Sequence, residues 1–85
     1  MPRYFFHSED GRPSRDDEGT ELPSLASARV EAVRVLGDIL KEAPHKVLDS
    51  GMFRVTVTDN TGLIYFCLDL SATDAAAGKV NRNGS

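Results

Sequence analysis

The sequence predicts an α+β domain: a four-stranded antiparallel sheet of strand order 2-1-3-4, its elements running ββαββ, with one helix packed on one face. Three observations carry this reading. "RYFFH" alternates in character and runs into the turn residues Asp10-Gly11. "LPSLASARVEAVRVLGDILKEAP" has the apolar spacing of a helix face. "MFRVTVTDNTGLIYFCLDL" reads as two alternating arms around a visible turn.

In the first strand Tyr4 and Phe6 point one way and Arg3, Phe5 and His7 the other. Arginine prefers water, so Tyr4 and Phe6 are the inward pair. Asp10-Gly11 supplies residues that tolerate positive φ and reverses the chain. A poor second strand follows within Arg12 to Leu22. Pro13 cannot donate to a ladder, which confines that strand to a sheet edge.

In the helix, Leu25, Ala28, Ala32, Leu36, Ile39 and Ala43 recur every three or four residues. Ser24 caps its start and Pro44 stops it. Arg34 and Asp38 sit one turn apart on the polar side, and Gly37 weakens the helix. His45 to Gly51 is expected as a plain connection. In the last hairpin, Asp59-Asn60-Thr61-Gly62 fits a type I turn closed by a left-handed glycine. Phe53, Val55 and Val57 face in, with Ile64, Phe66, Leu68 and Leu70 opposite them. Arg54, Thr56 and Thr58 face out, with Leu63, Tyr65, Cys67 and Asp69.

Topology follows from direction. The helix returns antiparallel to strand 2, so strand 3 is parallel to strand 2 and antiparallel to strand 1. Placing strand 3 beside strand 1 gives the 2-1-3-4 order. Residues 1–70 form a single domain and 71–85, small and polar without a sustained period, a flexible tail.

Composition limits function. A domain of 85 residues is expected to bury only about 60% of its unfolded surface, so its core is small. A formal charge of −3 gives no general attraction to nucleic acid or anionic membrane. Cys67 is the only cysteine, which excludes an intrachain disulfide and a cysteine-based zinc cluster and points to a reducing cytoplasm. No export signal or bilayer-length apolar run is read.

The second sheet face has no internal cover in this topology. Phe5, His7, Leu63, Tyr65 and Cys67 would lie there beside Arg3, Arg54 and Thr56. An apolar patch this concentrated on a small domain usually has a partner; singly scattered apolar residues, by contrast, need no explanation.

The stretches "MPRYFFH", "DG" at Asp10-Gly11, "DDEGTELPSLASARVEA" and "FRVTVTDNTG" together resemble a family of short proteins common in rhizobia-like alphaproteobacteria, classed as a domain of unknown function. The resemblance covers about the first 70 residues. It implies a bacterial cytoplasmic setting and brings no site residues with it. Ser24 stands where many relatives are expected to have aspartate, and both residues cap helices. The layout is also similar to the sheet domain of HicB-type antitoxins, a likeness of fold that carries little about function.

Candidate chemistry is sparse. Glu9, Asp10, Asp16, Asp17 and Glu18 cluster in one loop, as calcium ligands do, but without EF-hand spacing and with Arg12 and Arg15 interleaved. A solvated loop with surface ion pairs is the simpler reading. His7 and His45 lack a convergent nucleophile or ligand set. Cys67 would be a reactive thiol only if Arg54 lowered its pKa. Phe5 and Tyr65 flanked by Arg3, His7 and Arg54 could form a stacking platform for single-stranded nucleic acid, against which stand the negative charge and the acidic loop. No catalytic residue, metal or cofactor is predicted. The expected function is a non-enzymatic interaction or regulatory module. It would form a homodimer or bind another protein through the helix-free sheet face or the last strand's edge, with Phe5, Leu63 and Tyr65 as anchors and Arg54, His7 and Cys67 around them.

Overall fold

The alternation in "RYFFHSE" produces β1, Arg3–Glu9, with Tyr4 buried at 6% exposure and Phe6 half-buried. The structure is a computed structural model that describes residues 1–75. The chain turns at Gly11, whose φ of +99° is open to glycine at little cost. Where one poor strand was expected, there are two fragments of two residues each: β2, Pro13–Ser14, and β3, Thr20–Glu21. Both pair antiparallel with β1, at Ser8 and Glu9 for β2 and at Arg3 and Tyr4 for β3. The acidic residues between them cannot supply a strand's apolar face, so they leave the sheet as a loop.

α1, Leu25–Glu42, forms as its spacing requires, burying Ala28, Ala32 and Leu36. The Ser24 hydroxyl accepts the backbone N–H of Ser27 at 3.2 Å and caps the start. Arg34 pairs not with Asp38 but with Glu31, at 3.7 Å. The single-helix expectation is corrected here. Pro44 does end α1, but it also occupies the first position of a second helix, α2, Pro44–Ser50. Proline suits that position because its absent N–H has no intrahelical partner there and its φ is already helical. Val47 of α2 enters the core at 4% exposure, and Gly51, at φ +76°, ends the helix through its N–H to the Val47 carbonyl.

β4, Met52–Thr58, and β5, Ile64–Ser71, complete an antiparallel sheet ordered β2-β1-β4-β5, with β3 also on β1. Tyr4, Phe53, Val55 and Val57 meet Ala28, Ala32, Leu36 and Val47 in the core, with Phe66, Leu68 and Leu70 half-buried at its margin. A bulge interrupts the β4–β5 register: Val57 faces Phe66, but Thr58 faces Ile64, so Tyr65 is the extra residue. Ile64, expected in the core, is therefore 60% exposed. The N–H of Ala72 donates to the Gly51 carbonyl at 2.9 Å, so the sheet holds the chain beyond residue 70. Ladder alternation then turns the N–H groups of Phe66, Leu68 and Leu70 toward β4 and those of Cys67, Asp69 and Ser71 outward. The expected tail from residue 76 onward lies outside the described residues. Among the described residues, no helix is long and apolar enough to cross a membrane.

Candidate functional site

The helix-free face is built in cross-strand rows. Phe5 faces Thr58; His7 faces Thr56, which faces Cys67; Glu9 faces Arg54, which faces Asp69. In the last row Arg54 forks onto Asp69, Nε to Oδ1 at 2.6 Å and a terminal nitrogen to Oδ2 at 3.0 Å. That hydrogen-bonded pair holds the Asp69 carboxyl below the usual carboxylate range and raises Arg54. The Cys67 Sγ lies 3.9 Å from the Thr56 hydroxyl, a weak contact, and the thiol is free and exposed.

Phe5 and His7 are not open to solvent as expected, because the loop between β2 and β3 folds over them. Their rings stack 6.4 Å apart and 7° from parallel, and Gly19 sits on Phe5 so closely that a Cβ there would lie 2.9 Å from its Cε2. Asp16 anchors the loop. Its Oδ2 accepts the N–H of Phe6 at 3.1 Å, and its Oδ1 accepts those of Glu18 at 3.1 Å and Gly19 at 3.0 Å. Partial burial raises the Asp16 carboxyl, but the N–H donors at Gly19, Phe6 and Glu18 outweigh it, and the group ends below its ordinary value.

His7 is part of the same lock. Its Nδ1 accepts the Asp16 N–H at 3.1 Å, which leaves the ring proton on Nε2, directed at the Thr58 hydroxyl 2.9 Å away. The Thr58 hydroxyl in turn donates to the Asp59 carbonyl at 3.0 Å. This explains why Thr58, predicted to face outward, is only 5% exposed. Asp59 organises the neighbouring turn: its Oδ1 accepts the Thr61 hydroxyl at 2.7 Å and the N–H groups of Thr61 and Leu63 at 2.8 and 3.0 Å. The Thr61 hydroxyl, then these N–H groups, lower the Asp59 carboxyl.

Between the acidic loop and this turn lies a shallow concavity of about 410 Å³, floored by Phe5 and His7. Its two central carboxylates, Asp16 and Asp59, are already engaged with N–H and hydroxyl groups of the fold. Among the described residues, no three His, Cys, Asp or Glu side chains come together as a metal-ligand set. Arg12 and Arg15 do not pair with the loop's carboxylates; Arg3 does the equivalent work, reaching the Glu18 carbonyl at 2.7 Å and Glu21 at 3.3 Å.

The structure thus brings Phe5 and His7 together beneath the loop and sets Arg54 beside Cys67 in adjoining rows. It does not extend that group into one apolar patch with Leu63 and Tyr65. The bulge turns the Tyr65 ring onto core residue Tyr4, edge to face with centroids 5.8 Å apart. Leu63, Ile64 and Tyr65 instead form an exposed apolar tip, at 58, 60 and 41% exposure. Sequence reasoning missed Asp16 as the loop's anchor. The visible signal was an Asx-type turn, an aspartate three residues before a glycine.

Fold and surface define a small α+β sheet domain, with a helical layer on one face, a loop lock on the other and a last strand whose outer edge pairs with no other strand among the described residues. A family model described as "Domain of unknown function (DUF6894)" matches residues 3–71, and the chain belongs to that family. Neither the curated proteins nor the solved structures contain a match.

Proposed function

We propose that this chain is a non-catalytic interaction module that self-associates by pairing β5 with β5 of a second copy. The observation that carries this reading is the contrast between the two sheet edges. On one side the edge consists of fragments of two residues, one containing Pro13, beside a charged loop. Such features keep an edge from accepting another strand. On the other side β5 is eight residues long, has no lysine or proline, and carries one charge, Asp69, already paired with Arg54.

Two further features support a second copy as the occupant. Phe66, Leu68 and Leu70 are only half-buried at the margin of the helical layer, so an adjoining copy would extend their cover. A twofold contact is also self-complementary by construction, which suits a strand offering the same outward N–H and carbonyl groups to itself. The exposed Leu63–Tyr65 tip then lies at the ends of the joined strands. The alternative of a single-strand nucleic-acid platform has less support: Phe5 lies under the loop, and Arg3 and Arg54 are both engaged by acidic residues.

Sedimentation equilibrium tests the reading with the native chain and Cys67→Pro. The Cys67 N–H points away from β4, so proline removes an outward donor without removing a bond of the native ladder. A fall in association with retained circular dichroism supports β5 pairing. Unchanged association removes it.

A further inference from the structure

We propose that the outer face of α1 is a second self-association surface, on which a second copy's α1 packs antiparallel with Val30 against the second copy's Val33. This contact lies on a different element from β5 and does not depend on the pairing of that strand.

Ala26, Val30, Val33 and Gly37 follow one another at spacings of four, three and four residues, which places them in one line along the helix. All four are exposed, the valines at 54 and 56%. They are separate from the core line of Ala28, Ala32 and Leu36. Valine is stiff in a helix, and glycine is the poorest helix former apart from proline. Among the described residues nothing calls for glycine at position 37, since a Cβ there would meet none of their atoms within 4 Å. A helix packed from outside would use the missing side chain, because small residues let two helix backbones approach.

The occupant follows from symmetry and charge. The four-three-four spacing reads the same in both directions, so an antiparallel copy places Ala26 on the second copy's Gly37 and each valine on the other copy's partner valine. In that register Arg34 lies near the second copy's Glu31. Asp38 comes to the first turn of the second copy's α1, a turn that has no acidic residue of its own and where the helix dipole favours one. A parallel arrangement would instead set Arg34 on one flank of the line against the second copy's Arg29 on the other, two like charges. With only two valines at its centre, the contact belongs to the weak class of interfaces and is sought at high protein concentration.

The test uses sedimentation equilibrium up to several hundred micromolar with four chains: native, Val33→Glu, Cys67→Pro and the double variant. Val33→Ser serves as a milder substitution, and circular dichroism confirms folding. The expected result is that Cys67→Pro still dimerises, that adding Val33→Glu weakens this residual association at least tenfold, and that Val33→Ser weakens it less. Register is read by a short bismaleimide on Ala26→Cys/Gly37→Cys in a Cys67→Ser background, which should cross-link to twice the monomer mass while either single cysteine does not. A monomeric Cys67→Pro, a residual association indifferent to Val33→Glu, or equal cross-linking by the single cysteines would overturn the proposal. Should β5 pairing alone fail, the native chain is a dimer that Cys67→Pro leaves intact and Val33→Glu dissociates.

Discussion

The backbone N–H of Asp16 donates to Nδ1 of His7 at 3.1 Å, and this bond ties an excursion from the sheet edge back onto the face of the sheet. His7→Ala removes the acceptor of that N–H and the ring partner of the Thr58 hydroxyl. Leaving a part-buried donor without its partner costs about 1–3 kcal/mol. Urea denaturation should show that loss as a lower midpoint with an unchanged slope.

Asp16 makes the lock sensitive to acid. Its carboxyl is lowered in the folded chain, so its contribution is fully present above the unfolded value of about 3.9 and is lost as pH falls through the lower folded value. Asp59 and Asp69 are lowered too and act in the same direction. Stability measured by urea denaturation should decline as pH drops below about 4. Asp16→Asn should lower stability at pH 7 and flatten that acid decline.

Gly19 and Gly37 should respond oppositely to alanine. At Gly19, with φ of +72°, a Cβ would meet Arg3 Cγ at 2.8 Å, Phe5 Cε2 at 2.9 Å and the Tyr4 carbonyl at 3.0 Å. Gly19→Ala should therefore destabilise by more than about 1 kcal/mol. At Gly37 the helix is open, and alanine should stabilise the folded monomer by up to about 1 kcal/mol. Thermal melts at low protein concentration, where self-association is negligible, check both signs.

Much of the sheet and the main helix could be read from period alone. Tyr4, Phe53, Val55, Val57, Ala28, Ala32 and Leu36 all reached the core because alternation and helical spacing each fix a face. α2 was not legible, because a six-residue run after a proline is too short to show a period and Pro44 signals a stop as well as a start. The bulge was equally hidden: an extra residue leaves the alternation of "LIYFCLDL" intact while shifting Ile64 and Tyr65 relative to β4. The His7, Asp16 and Thr58 lock joins positions far apart in the chain, and no local pattern reports such a meeting.

Amide hydrogen exchange in β5 tests strand pairing most directly. The outward N–H groups of Cys67, Asp69 and Ser71 have no ladder partner among the described residues, so pairing between copies should protect them increasingly as protein concentration rises, while Phe66, Leu68 and Leu70 remain protected throughout. Protection of Cys67, Asp69 and Ser71 that stays the same from low micromolar to near-millimolar concentration would contradict β5 self-association.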